Sequence, residues 1–252
     1  IVAASDERPR EQYEGDKAYF ALAKGDPGTV FSANENDDGG YSFHHARRVM
    51  QGDRFLGVTV PEQRTVAKKL WKTTGPEALA DLLADPVHEC RLTALFILVL
   101  QYKNCKVGEH RTVLARFYLD QLAGVNNWDL VDSSAHYILG PWLLEHPEER
   151  GILEKLAASG DLWRERVSVM TTFAFIKAGE YGPTLALAER FLSHPHDLMH
   201  KATGWMLREI GNRDMRAEVA FLEKHCKTMP RTMLRYAIEK FPEAERQRWL
   251  RG

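Results

Sequence analysis

From residue 61 onward, apolar residues recur at three- and four-residue spacing between short polar breaks, the pattern of consecutive amphipathic helices. Pro61 suits a first helical turn and opens PEQRTVAKKLWKTT. GPEALADLLAD, HECRLTALFILVLQYKNC and EHRTVLARFYLDQLAG follow, then NNWDLVDSSAHYILGPWL, PEERGILEKLAASG and DLWRERVSVMTTFAFIKAG. GPTLALAERFLSHP, DLMHKATGWMLREIGN, RAEVAFLEKHCKT and PRTMLRYAIEKF complete the series. Gly, Pro and Asn stand at the joints, as stop and start signals do. No alternation of period two marks a sheet, so the pattern predicts an all-α chain. Short loops make successive helices antiparallel neighbours. Residues 25–53 break the pattern with Gly, Asp and Asn, and suggest a long irregular piece with one short helix near SFHHARRVM. The expected organisation is an irregular or partly helical segment over 1–53 and a helical repeat domain over 54–252, one domain overall.

Three of the long segments begin alike: DPVHECRLTALFILV, GDLWRERVSVMTTFA and HPHDLMHKATGWMLR. Each has a Pro or Gly break, an acid near the cap, a basic residue, then small and apolar residues. The basic residues are Arg91, Arg166 and Lys201, and Asp132 takes the matching slot in the segment between the first two. The steps 91 to 132, 132 to 166 and 166 to 201 are 41, 34 and 35 residues, roughly the ~34–47 of one helix pair in a solenoid. A superhelical solenoid of antiparallel helix pairs is therefore the predicted fold. In such a stack, equivalent positions on successive inner helices line one concave face. That face would present Arg91, Asp132, Arg166 and Lys201, with Trp128 four before Asp132 and Trp205 four after Lys201. Basic residues with two Trp and one acid suit a polyanionic backbone and a flat group beside it.

Composition narrows the classes. The chain has 252 residues, 44% hydrophobic and 27% charged, as ordinary soluble proteins do. Its longest apolar run, LTALFILVL over 92–100, is half the ~20 residues that span a bilayer and reads as a buried helix. The opening IVAASDERPREQ lacks the basic and apolar regions of a secretory signal; starting at Ile1, the chain is expected to be trimmed from a longer one. Cys90, Cys105 and Cys226 lack any C-x-x-C spacing and suggest buried small hydrophobes in a reducing, cytoplasmic compartment. His88, His136 and His200 have no zinc spacing and read as capping or surface residues, so no metal and no cofactor is expected. Net charge is −1, which speaks against a nucleic-acid binder, but the charge is uneven. Residues 1–50 hold 6 Lys/Arg and 9 Asp/Glu, a balance of −3, whereas 201–252 hold 12 and 7, a balance of +5. Such asymmetry is compatible with a polyanion meeting one part of the molecule.

NNWDLVDSSAHYILGPWL carries the sharpest question. Asn126 or Asn127 can cap a helix, and Asp129 in its first turn suits the helix dipole. Asp132 has no such explanation: it falls among Val131, Ala135 and Leu139, one turn from Trp128. Taken singly, each residue has an ordinary reading. Trp128 and Trp205 could be core residues, Asp132 a hydrogen-bonding acid, and Arg166 half of a surface pair with Glu165. Trp71, Trp142, Trp163 and Trp249 are read as structural.

Five stretches taken together resemble one family. GDRFLGVTVPEQRTVAKK (52–69), HECRLTALFIL (88–98), NNWDLVDSSA (126–135), LWRERVSVM (162–170) and KATGWMLREIGN (201–212) are similar, in collinear order over roughly 52–245, to the AlkD family of bacterial DNA alkylation-repair glycosylases. Motif by motif, the resemblance implies a catalytic Asp at Asp132, its neighbouring Trp at Trp128, an essential Arg at Arg166 and a second lesion-side Trp at Trp205. Arg91 and Lys201 would meet DNA phosphates. The sequence departs from the family before Gly52, where SFHHARRVMQ stands. The implied activity is a monofunctional glycosylase acting on cationic N3- or N7-alkylpurines in duplex DNA, such as 3-methyladenine and 7-methylguanine. It would act as a monomer, without metal or membrane, in the bacterial cytoplasm and nucleoid. The resemblance further implies that the base need not be fully flipped into a pocket, so that bulky adducts could be accommodated. Two other functions remain open at this point: a non-catalytic DNA-structure binder on the same fold, and a HEAT-like protein-binding scaffold.

Overall fold

The structure, a computed structural model, describes residues 53–106 and 108–251. All but the last residue of the expected 1–53 segment, including the short helix read near SFHHARRVM, lies outside the described residues. The described chain is all-α and solenoid-like, with no strand among these residues. It forms two compact units, one reaching Ser133 and one starting at Ser134.

The first unit holds α1 (Val60–Leu70), α2 (Pro76–Ala84), α3 (His88–Asn104), α4 (Glu109–Asp120) and the short α5 (Trp128–Asp132). Pro61 falls in the first turn of α1, where Glu62 accepts the Thr59 backbone N–H at 3.0 Å. α3 is the centre, packed against α1, α2, α4 and α5. Every side chain from Leu92 to Val99 is buried, as a run apolar on all sides requires. The chain entering α1 is clipped to the start of α3. Arg54 donates to Pro86 O (3.1 Å) and His88 N–H donates to Arg54 O (2.8 Å). The buried Glu89 carboxylate accepts the Leu56 and Gly57 N–H groups at 3.0 and 2.8 Å.

The second unit holds α6 (Ala135–Glu145), α7 (Gly151–Ala157), α8 (Leu162–Thr171), α9 (Phe173–Lys177), α10 (Gly182–Arg190) and α11 (Asp197–Gly211). α12 (Met215–His225), α13 (Arg231–Ala237) and α14 (Glu243–Arg251) complete it, the last being a helix that the apolar pattern did not single out. α11 is its hub, touching α8, α10, α12 and α13. Two glycines permit close approaches between helices. A Cβ on Gly140 would stand 2.4 Å from Ala174 Cβ, and one on Gly204 would stand 2.4 Å from Met233 O.

Two segments expected as single helices are broken. NNWDLVDSSAHYILGPWL becomes α5 and α6, because Ser134, at φ −131° and ψ −49°, leaves the helical region and lets Asp132 end its helix. DLWRERVSVMTTFAFIKAG becomes α8 and α9 around Thr172, whose hydroxyl donates to Val169 O at 2.7 Å and competes with the helical ladder.

Candidate nucleic-acid interface

The repeat register survives as a helix position. Arg91 is the fourth residue of α3, while Asp132, Arg166 and Lys201 are each the fifth of α5, α8 and α11. Arg91, Trp128 and Asp132 belong to the first unit, and Arg166, Lys201 and Trp205 to the second.

On α5, Asn127 is the cap, its side-chain oxygen accepting the Trp128 N–H at 2.8 Å. Leu130 and Val131 point into the core. With that face fixed, Trp128 is 43% exposed, one of few large apolar side chains so open, and Asp132 is half-buried one turn later. An open indole beside a partly desolvated carboxylate suits a flat cation better than a core.

Arg91 lies deeper than an open groove requires, at 5% exposure. Its guanidinium donates to Asp85 O at 2.9 Å and pairs with Asp53 at 2.5 Å. A phosphate reaching Arg91 would have to displace Asp53. His88 sits beside it and was not distinguished in the sequence from a capping or surface histidine. Its ring is buried, with Nδ1 3.0 Å from Asp53 and Nε2 2.7 Å from Asp129. Burial opposes charge on this imidazole, but the hydrogen bonds to Asp129 and Asp53 outweigh it and carry the pKa up to about 9. Burial likewise opposes ionisation of Asp53, and His88 and Arg91 overcome it, holding the carboxyl below its usual range. No periodicity marks this group, since its members are joined across the chain; only HECR at a helix start hinted at it.

In the second unit, Arg166 is 4% exposed and donates to Leu198 O, tying α8 to the first turn of α11. Glu165, the neighbour considered as its partner, instead meets His194 at 2.9 Å. Lys201 pairs with Asp197 at 3.2 Å. Trp205 is half-buried, its indole N–H donating to Glu209 at 3.2 Å. Around it lies a group the sequence reading missed. Phe173 is tilted against Trp205 at 6.2 Å, with Lys177 4.0 Å and Arg213 5.7 Å from the Phe173 ring centre. Glu209 also pairs with Arg213 at 2.8 Å. Burial and then the nearby Arg213 push the Lys177 pKa down. Two cations on one ring with one carboxylate leave positive charge beside Trp205, where an anion is welcome. The signal was weak: Phe173 and Lys177 are four apart on α9, as are Trp205 and Glu209 on α11.

Elsewhere the side chains are less suggestive. No group of three or more His, Cys, Asp or Glu able to hold a metal occurs among the described residues. His136 is buried against Tyr137 and Phe173 rather than at the surface, and the capping role belongs to His196, which accepts Leu198 N–H at 3.2 Å. Cys90 is buried and its thiol pushed up to about 11 by that burial, while Cys105 and Cys226 are half-buried. Trp142 is fully buried and Trp249 packs on the core of α12 and α13. A cavity of about 500 Å³ between α1, α2, α3 and α4 is lined by Trp71, Leu79, Gln101 and Phe117 among others, and none of the candidate residues lines it. No described helix is long and apolar enough to cross a membrane.

A family model for DNA alkylation repair enzymes matches residues 33–241. No curated protein sequence matches the chain. Among solved structures, a "Predicted DNA alkylation repair enzyme from Enterococcus faecalis" superposes with a TM-score of 0.62 at 15% identity, over 79% of this chain and 94% of that one. At that identity the likeness speaks for the fold alone, whereas the family match spans most of the sequence. The chain belongs to the DNA alkylation repair enzyme family, the AlkD-like family that its motifs resemble.

Proposed function

We propose that the protein is a monofunctional DNA glycosylase that removes positively charged N3- or N7-alkylpurines, 3-methyladenine and 7-methylguanine among them, from duplex DNA in base excision repair. The observation that carries this reading is the pairing on α5 of an exposed indole, Trp128, with the half-buried carboxylate of Asp132 one turn on.

The chemistry asks little of the protein. An N3- or N7-alkylated purine already carries a positive charge, so it leaves as a neutral base without protonation, and an acid/base pair of the ordinary glycosidase kind is unnecessary. As the bond from C1′ to the base nitrogen breaks, its electron pair goes to the base and C1′ gains oxocarbenium character. The Asp132 carboxylate stabilises that charge and orients a water, whose oxygen bonds to C1′ while its proton passes to the carboxylate or to solvent. Trp128 contributes cation–π attraction, about 0.5–2 kcal/mol for such a contact. Trp205 offers a second flat ring for a nucleotide, whose phosphate suits the positive charge of Lys177 and Arg213 beside it. Lys201, with Lys177 and Arg213 added from the structure, supplies positive charge for phosphates, which position the duplex without specifying sequence, while Arg166, buried and bonded to Leu198 O, adds its charge from within the fold. The protein acts as a monomer in the bacterial cytoplasm, on the nucleoid.

Release of free base under single-turnover conditions, from matched duplexes carrying 7-methylguanine, ethenoadenine or uracil, tests the reading. Release of the cationic base well above the neutral ones, unchanged by EDTA, is expected. Equal rates for all three would defeat the electrostatic account. Salt-dependent DNA binding with no release would assign a non-catalytic role on the same fold. No salt-dependent DNA binding would point to a protein-binding scaffold.

A further inference from the structure

α5 has five residues and is followed at once by the Ser133–Ser134 break. So short a helix has no stability of its own and takes its orientation from tertiary contacts. Leu130 and Val131 supply the apolar ones. The polar ones converge on His88. Its Nε2 meets Asp129 of α5 at 2.7 Å, and its Nδ1 meets Asp53 of the segment entering α1 at 3.0 Å. Phe55 stacks on the same imidazole, ring centres 5.1 Å apart. Asn127, the α5 cap, donates to Asp53 at 3.3 Å, and Asp53 also holds Arg91. Both ring nitrogens face carboxylates, so both must donate, and the ring is an imidazolium. The charges about it are Asp53 and Asp129 against His88 and Arg91, which balance; the adjacent Glu89 carboxylate is turned to the Leu56 and Gly57 N–H groups.

We propose that His88 is a positioning residue for the candidate site: through Asp129 it fixes the first turn of α5, and so the directions in which Trp128 and Asp132 point. This rests on the glycosylase reading for its consequence in catalysis, but the positioning itself is a structural property of the chain. The imidazolium holds α5 and the entering segment at once through two short bonds to carboxylates, which a neutral ring with its single N–H could not donate together, and the Asn127 amide adds a longer bond between the same two pieces.

Two variants test it. His88→Gln removes the imidazolium. Asp129→Asn is milder, because Asp129 is partly exposed and the amide oxygen can still accept the Leu130 N–H that the carboxylate now accepts at 2.9 Å. Each is expected to displace the Trp128 indole resonance in NMR spectra. Each should slow single-turnover release from 7-methylguanine duplex by about 10- to 100-fold, the scale of an ångström of misplacement, with the salt slope of DNA binding unchanged. The double variant should lose no more than the worse single one, since both cut one link. Isotope-labelled histidine NMR should place the His88 titration near 9 in the wild type and lower in Asp129→Asn. Additive losses, or an unmoved Trp128 resonance with wild-type release, would overturn the proposal while leaving the glycosylase reading intact. Should wild-type protein release no base while the Trp128 resonance still moves in both variants, the positioning stands and the glycosylase reading falls.

Discussion

Asp132 and Glu218 are both acids in partly apolar surroundings, and they lead to opposite expectations. Asp132 is half-buried one turn from an open Trp, and in the proposed glycosylase its carboxylate serves a developing cation. Asp132→Asn keeps the size and removes the charge, so the variant should bind lesion duplex about as well as wild type and lose most base release. Wild-type release of 7-methylguanine by the Asn variant would take Asp132 out of the chemistry. Glu218 is buried on α12 against Gly211, and its Oε1 finds no hydrogen-bond partner among the described residues. Burial pushes its pKa up to about 8, with Arg208 only partly opposing. In the unfolded chain it ionises near 4.5, so between that value and about 8 the unfolded state alone releases the proton and stability declines with rising pH. Glu218→Gln should flatten this decline, giving a higher Tm than wild type at pH 8 and a smaller difference at pH 4. Parallel Tm curves for the two proteins across that range would show that Glu218 titrates normally. The spacing of Asp132 from Trp128 was legible in the sequence; the isolation of Glu218 was not, because nothing local distinguishes it from the exposed Glu223 of the same helix.

At the scale of elements, close approach decides what the hydrophobic pattern leaves open. Periodicity marked the apolar faces of α3, α8 and α11 as buried, and they are. It could not show that α11 comes against α13 closely enough to exclude a methyl group at Gly204, directly before Trp205. A Cβ there would meet Met233 O at 2.4 Å and Tyr236 Cβ at 2.6 Å. Gly204→Ala is therefore expected to destabilise by about 1–3 kcal/mol, as overpacking does. Gly151→Ala, where a Cβ in the first turn of α7 meets nothing, should change Tm little. Equal Tm values for the two variants would mean that α13 can move aside. The breaks at Ser134 and Thr172 belong to the same scale. Ser and Thr are tolerated within helices and at their ends alike, so the segments read as continuous until the hydroxyl and backbone partners are known.

For the whole molecule, charge is the quantity that connects sequence to partner. The net charge of −1 conceals 12 Lys/Arg against 7 Asp/Glu in residues 201–252. The structure adds Lys177 and Arg213, both close to one Phe173 ring with Glu209 as the nearby acid. If duplex DNA passes this group, Lys177→Ala should reduce the slope of log affinity against log salt by about 0.9, the share of one phosphate. Anisotropy titrations on undamaged duplex over a range of salt measure this, and an unchanged slope would place Lys177 away from the DNA. Arg166→Ala should differ in kind. It also removes the donor to Leu198 O that ties α8 to α11, so its Tm should fall together with its affinity.

The sequence by itself determined the succession of helices from Val60, the burial of α3 on every side from Leu92 to Val99, and the recurrence of Arg91, Asp132, Arg166 and Lys201 one turn into their helices. It also determined the motifs that place the chain in its family. All of these are written in spacings of a few residues, where backbone geometry makes neighbours of i, i+3 and i+4. Tertiary structure decided what the polar side chains do. Asn127 reaches Asp53 across 74 positions, His88 reaches Asp129 across 41 and Arg166 reaches Leu198 across 32. Such partners are chosen by packing, because a buried donor or acceptor must be satisfied by whatever group the fold brings to it.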